Sequence, residues 1–367
     1  LLMMQRGGEI RGVVAGLPDD RGGLQVVAAR RPRQDGDPTG MAAMFGGDVG
    51  EMLSDMGMAI GERTASIAAD GSFVLRGLAR DTYRVWVGRD TTGKQPGLVA
   101  IKVIRGELAS EPKARTMFLV EGALVAAIRH KHVVRVYEVS QYEGVLYMVM
   151  EWVEGSALHA LISEANKRRA IPAEHAVRLI ADTAGGLHAA HEMRDPKGVP
   201  REVVHCDVSP QNILVGLDGT TKLVDFGVAS AVGRLNTQGA APWVRGKVGY
   251  MSPEQTRAES LDRRSDIFSL GIVLFELTTG YRLFRGKDNR QTVELVRQAR
   301  VPRPTQTLND YPKSLEAVVL KALQKDPARR FQTADEFKAA LEQYLREERI
   351  VVAPAGVGGL VKRVLGP

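Results

Sequence analysis

The chain has 367 residues, 44% of them apolar and 25% charged, with a net charge of +7. That length leaves room for two or three domains with ordinary cores, and no apolar run reaches the ~18 residues of a membrane span. The single cysteine, Cys206, excludes an internal disulfide and suits a reducing cytoplasm.

The charge is uneven. Residues 1–94 carry twelve Lys/Arg against twelve Asp/Glu, so the basic excess lies further on. No block of like charges accompanies it, which argues against nucleic acid as a partner; a phosphate-handling surface is enough to explain the balance. The first residue is Leu1, with no signal-peptide pattern behind it. A start other than Met suggests a trimmed or partial chain.

In chain order, Glu9–Val14 and Leu24–Ala29 read as short strands around a turn-rich Pro18–Gly23. Residues 34–62 are rich in Gly, Met and Asp and show no period, which suggests an insertion that is a loop or a weak helix around Met52–Ile60. Thr64–Ala69, Asp70-Gly71 and Ser72–Leu75 read as strand, turn, strand, and Tyr83–Val87 alternates as a further strand. Ile10, Gly12 and Val14, followed by Asp70-Gly71-Ser72-Phe73, Gly77-Leu78 and Tyr83-Arg84-Val85, resemble the small β-sandwich of the carboxypeptidase regulatory-like family. That resemblance implies an all-β accessory domain over 1–90 that binds a partner and carries no chemistry.

From Leu98 the pattern changes. Val99–Ile104 is a strand with one lysine, Lys102, in an apolar run. A helix opens near Ser110-Glu111-Pro112. Met117, Val120, Glu121, Leu124 and Ile128 recur at helix spacing, which predicts Glu121 on the packed face with Lys102 as the partner a buried carboxylate needs. Val133–Val139 and Leu146–Val149 are strands, Met150–Gly155 leaves the second of them, and Pro172 opens a long helix to about Glu192. His188 and His191 lie three apart on it; ordinary helix positions outweigh a metal pair, because no further ligand motif accompanies them.

The densest stretch is Val203-Val204-His205-Cys206-Asp207-Val208-Ser209-Pro210-Gln211-Asn212-Ile213-Leu214-Val215. Asp207 and Asn212 sit five apart between β-branched runs, and Asp225-Phe226-Gly227 follows. Asp218-Gly219 predicts a hairpin pairing Ile213–Val215 with Lys222–Val224, which fixes Asp207, Asn212 and Asp225 at one rim. Beyond it come Gly246–Glu254, a buried helix over Asp262–Thr279, Lys325–Phe331, a last helix over about Ala334–Glu347, and a tail at 347–367 that reads as linker or short amphipathic helix.

In combination, order and spacing these motifs resemble bacterial-type (Hanks-type) serine/threonine protein kinases over about residues 83–346. The resemblance implies an α+β, two-lobed protein-kinase-like fold over 91–346, with a small β-rich lobe to about 152 and a large helical lobe after it, preceded by the all-β sandwich. It implies that the γ-phosphoryl group of Mg·ATP passes to Ser/Thr hydroxyls of a protein substrate. Asp207 would accept the hydroxyl proton, Lys102 and Glu121 would position the α- and β-phosphates, and Asn212 and Asp225 would hold Mg²⁺. Met150 would guard the adenine pocket, Val85 and Ala100 would line it, and backbone near Glu151 and Val153 would bond the adenine. Glu254 would pair with a late arginine.

The chain departs from that pattern in three places. The phosphate-covering loop lacks its glycines: those positions fall on Leu78, Arg80 and Tyr83. Cys206 replaces the arginine that grips an activation-loop phosphate, so phosphorylation at Thr237 or Ser230 has less to hold. Ser209 replaces the lysine that faces the transferring phosphate, while Lys247 stands where a threonine is usual. Either Lys247 brings its ammonium to the place vacated at Ser209, or it faces solvent. The alternative to an active kinase is a catalytically impaired pseudokinase serving as a binding scaffold.

Overall fold

A computed structural model describes residues 2–5, 9–13, 25–29, 63–66, 72–75, 83–89, 98–104, 112–142, 145–168, 171–195, 197–226 and 247–365. The insertion expected at 34–62, most of the sandwich expected over 1–90, Leu78 and Arg80 lie outside the described residues. The backbone divides into two compact units, 1–127 with 135–152 and 128–134 with 153–367.

The first unit is built on a six-stranded antiparallel sheet. Its strands are β3 (Gln25–Ala29), β4 (Arg63–Ser66), β6 (Tyr83–Arg89), β7 (Leu98–Ile104), β8 (Val136–Tyr142) and β9 (Val145–Glu151), ordered β4-β3-β6-β7-β9-β8. A separate three-stranded sheet joins β1 (Leu2–Gln5), β2 (Glu9–Val13) and β5 (Ser72–Leu75). Residues 72–87, which the sequence could assign to either neighbour, are thus divided: Ser72 pairs with Val13, whereas Tyr83 pairs with Ile104 and Val85 with Lys102.

Helix α1 (Pro112–Ala127) packs on β8 and β9 in that unit. Gly122 makes the approach close, since a Cβ there would lie 2.5 Å from Val139 and 2.9 Å from Met148. The packed face is Phe118, Gly122 and Val125, and Glu121 stands at its margin. The expected stripe through Val120 is corrected, because Leu119 and Val120 are exposed. The helix is apolar on several faces, so spacing alone does not mark the buried one.

The second unit is mainly helical. Helix α2 (Leu158–Arg168) and α3 (Ala173–His191) are followed by α4 (Pro253–Thr256), α5 (Arg263–Thr279), α6 (Asn289–Gln298), α7 (Pro304–Thr307), α8 (Lys313–Ala322), α9 (Ala334–Glu347) and α10 (Pro354–Leu365). Helix α5 is buried on nearly every side and lies in the core. Asp262 caps its start through the Arg264 amide, and Gly280, at φ 78°, ends it in the left-handed conformation glycine tolerates best. A small sheet, β10 (Gly155–Ala157), β11 (Ile213–Gly216) and β12 (Thr221–Leu223), carries the predicted hairpin, with Ile213 opposite Leu223. Val133, expected in a strand with Val139, instead bridges Leu223 in parallel. Among the described residues no helix is long and apolar enough to cross a membrane.

Candidate active site

The hairpin sets the site in the second unit. Asp218 Oδ1 accepts from the Thr220 amide (2.9 Å) and hydroxyl (2.7 Å), and Gly219 at φ 85° closes the turn. Burial raises the Asp218 carboxyl, but those Thr220 bonds outweigh it and hold it below the usual range. At the open end the Val224 amide donates to Asn212 O (3.0 Å), so Asn212 and Asp225 sit on neighbouring ends of the two strands. Asn212 is fully buried, and its amide donates to Asp207 O and to Asp207 Oδ2, each at 2.8 Å. Both amide hydrogens are thereby used, so Asn212 would meet a cation through Oδ1. Asp225 adopts φ 56° and Cys206 φ 63°, a region that costs a non-glycine residue about 1–2 kcal/mol.

The strain at Cys206 is held by a buried carboxylate. Asp266, one turn into α5, accepts the His205 amide at Oδ2 (2.8 Å) and the Cys206 amide at Oδ1 (2.9 Å). His191 Nε2 donates to the same Oδ2 at 2.7 Å. Gln255 Nε2 holds Cys206 O at 2.8 Å from the other side. Gln255 also completes a capping box with Ser252. His205 accepts the Asp207 amide at Nδ1 (3.2 Å) and donates from Nε2 to Val224 O (3.1 Å), which fixes one neutral tautomer. Burial pushes its pKa below the ordinary histidine value despite the raising influence of Asp266 and Asp207. Its ring lies 4.5 Å from that of Phe226, tying the two loops together.

The Asp207 side chain is about a third exposed. Lys247 Nζ donates to its Oδ2. Ser209 Oγ is buried and has no hydrogen-bond partner among the described residues.

The loop carrying Lys247 is tied down behind the site. Glu254 accepts Arg330 Nη1 (2.6 Å) and Nη2 (2.9 Å), and Ser265 Oγ bonds the same carboxylate at 2.7 Å. The remaining Arg330 hydrogens go to the carbonyls of Gln324, Arg264 and Lys325, so all five donors of a 2% exposed guanidinium are satisfied. Burial raises the Glu254 carboxyl, but the Arg330 bonds and charge outweigh it and hold it below the usual range. Tyr250 OH donates to Glu276 Oε2 (2.7 Å) and receives Arg282 Nη1 (2.6 Å). Burial pushes both Tyr250 and Glu276 upward.

In the first unit, Lys102 Nζ meets Glu121 Oε1 at 2.7 Å, with both side chains largely buried. Lys102 lies between Val85 and Met148 in the sheet, and Ala100 between Val87 and Met150. The Glu151 amide donates to Arg135 O (2.8 Å) and its Oε2 accepts the Arg135 amide (3.1 Å), so Glu151 would serve a ligand through its carbonyl. Val153, in the second unit, is half-buried. The structure therefore joins Lys102 with Glu121, and Asp207 with Asn212 and Lys247. Sequence reading took His191 for an ordinary helix position and missed Gln255. The Ser-x-x-Gln capping box was the available signal for Gln255, whereas nothing local marks His191, whose partner lies 75 residues on.

Residues 87–343 match the family described as protein kinase domain. The chain is 36% identical over 270 residues to the tyrosine-protein kinase MasK of Myxococcus xanthus, covering 73% of this chain and 42% of that one. It is 39% identical over 252 residues to the serine/threonine-protein kinase PknB of Mycolicibacterium smegmatis, covering 66% of this chain and 38% of that one. It thus spans well under half the length of the curated relatives it matches. The PknI kinase domain of Mycobacterium tuberculosis superposes with a TM-score of 0.53 at 23% identity, over 72% of this chain and 92% of that one, a likeness of fold. The β-rich and helical units are the two lobes of that fold.

Proposed function

The chain belongs to the protein kinase domain family, and we propose from that premise that it transfers the γ-phosphoryl group of Mg·ATP to Ser/Thr hydroxyls of a protein substrate. The observation that carries this reading is the polar set on Asp207: a half-buried carboxylate whose Oδ2 is bonded by Asn212 and Lys247, in a loop anchored by Asp266. Asp207 accepts the proton of the attacking hydroxyl, and the Asn212 bond keeps its carboxylate turned to that task. Lys247 supplies positive charge beside the carboxylate, where negative charge develops on the transferring group. Lys102, oriented by Glu121, holds the α- and β-phosphates.

The donor set of Asn212 and Asp225 fits Mg²⁺, a hard cation that takes few protein oxygens and shares phosphate oxygens. When bound, the ion neutralises phosphate charge. Met150, Val85 and Ala100 line the adenine site, and the Glu151 carbonyl and Val153 amide bond its edge. The single cysteine supports a cytoplasmic setting, and the strands over 1–90 support an accessory β-sandwich that binds a partner.

A second reading, a catalytically impaired pseudokinase serving as a binding scaffold, is favoured by the missing glycines at Leu78, Arg80 and Tyr83. Thermal melting with Mg·ATP separates nucleotide binders from non-binders, and label transfer compared with Asp207→Ala separates the enzyme from the scaffold. Phosphoamino acid analysis of labelled protein then identifies the acceptor. Phosphotyrosine in place of phosphoserine or phosphothreonine would overturn the hydroxyl class proposed, an outcome made worth testing by Ser209 and by the tyrosine kinase among the relatives.

A further inference from the structure

The family match ends at residue 343, yet the chain beyond it folds back as α10. Its sequence, PAGVGGLVKRVL, is a poor helix former: three of twelve residues are glycine, and an isolated helix of this length is marginal even without them. Its order must come from what it touches. Val357, Leu360 and Val361, spaced i, i+3, i+4, are all buried to within 1% exposure, while Lys362 and Arg363 face solvent. The helix lies against α2 and β11.

The contact with the hairpin is made by backbone, and glycines allow it. A Cβ on Gly358 would lie 2.2 Å from Leu217 O, and one on Gly219 would lie 1.9 Å from Pro354 O. Neither neighbour is a side chain that could swing aside. Gly359, next along the helix, would meet only Arg363 Nη1 at 3.7 Å, an ordinary contact. The seat of the helix is therefore the turn of the hairpin whose other end carries Asn212 and leads to Asp225. The same turn is held from below by the Leu217 amide on Glu154 O at 2.8 Å.

We propose that α10 is a built-in clamp that docks on the β11–β12 turn and thereby sets the position of the metal-holding residues Asn212 and Asp225. The inference rests on the Mg·ATP reading for its effect on catalysis and on geometry alone for the docking. Asn212 and Asp225 are the catalytic ligands in this account, and Val357, Gly358, Leu360 and Val361 are positioning residues. The clamp acts through strands of only four and three residues, too short to hold their own register without outside support.

Two substitutions in the whole 367-residue chain test it. Gly358→Val removes the close approach, whereas Gly359→Ala leaves it intact and favours helix. Backbone hydrogen exchange without nucleotide is measured over residues 213–223, together with the Mg²⁺ concentration that gives half-maximal phosphoryl transfer. The clamp predicts exchange at least about tenfold faster in Gly358→Val, a half-activating Mg²⁺ concentration raised about threefold or more, and neither change in Gly359→Ala. A synthetic peptide of residues 351–367 added to Gly358→Val should restore slow exchange. Unchanged exchange in Gly358→Val, or equal changes in both variants, overturns the clamp. Faster exchange with an unmoved Mg²⁺ requirement overturns its positioning role. Absence of transfer in the parent chain counts against the kinase reading and leaves the exchange data to decide the docking.

Discussion

At the scale of single residues, Lys247 is the departure with the clearest consequence. It reaches Asp207 from a loop forty positions away, while Ser209 leaves no charge at the place the family fills with lysine. Lys247→Ala should lower kcat by about tenfold to a hundredfold with a smaller change in KM for ATP, because charge beside a developing anion acts mainly in the transition state. Steady-state kinetics check this, and an unchanged kcat would place Lys247 outside the chemistry. Thr237→Ala should alter activity by less than about tenfold, ~1.4 kcal/mol of barrier, because Cys206 offers a phosphate no guanidinium. Both substitutions were legible in the sequence, since the motif positions number themselves. The direction of the Lys247 side chain was not, because a loop lysine has no periodicity to betray its partner.

Histidines give the residue scale a pH signature. His130, His132, His159 and His205 all have pKa values lowered first by burial. The unfolded chain therefore binds more protons than the folded one below the ordinary histidine value of about 6.5. Stability from these groups is fully present above that pH and is lost as pH falls through it. Glu254, also lowered, adds stability that is lost at lower pH still, as the medium falls below the carboxylate range. Melting temperature should thus decline from pH 6 to 4, the raised Glu276 carboxyl working against that decline, as calorimetry at several pH values would show.

Among elements, the Glu254–Arg330 pair ties α4 to the segment before α9. Removing one partner leaves the other buried and uncompensated, so Arg330→Met should cost about 3–5 kcal/mol in denaturant unfolding. The double variant with Glu254→Gln should cost less than the sum of the two singles. A late arginine paired with Glu254 was readable from the motif. Which of Arg329 and Arg330 was decided by a short turn: Asp326 caps Pro327–Arg329, leaving Arg329 76% exposed and Arg330 buried. Helix α1 shows the opposite case. Its partner to Lys102 was legible from charge in an apolar context, but its packed face was misjudged at Val120, because apolar residues occur around much of its circumference.

For the whole molecule, boundaries were harder to read than motifs. Strand Tyr83–Arg89 pairs with Leu98–Ile104 on one edge and Gln25–Ala29 on the other. The sequence offered the strand but not its neighbours, since strand partners are chosen by long-range packing and not by local pattern. The tail was readable as linker or amphipathic helix, and only the glycine contacts with the hairpin turn decide for a docked helix. The rim of Asp207, Asn212 and Asp225, by contrast, follows from one hairpin signal and three polar residues at fixed spacing, which is why it was legible. The central claim is that Asp207, held by Asn212 and Lys247 over an Asp266-anchored loop, is the base of a working phosphoryl-transfer site. Its most direct test is single-turnover transfer from γ-labelled ATP at saturating Mg²⁺ in the parent chain and in Asp207→Asn. The account predicts measurable transfer in the parent and a rate lower by about a hundredfold or more in the variant, with the Mg·ATP thermal shift retained. Equal rates in both, or no transfer in a parent that binds Mg·ATP, would contradict it.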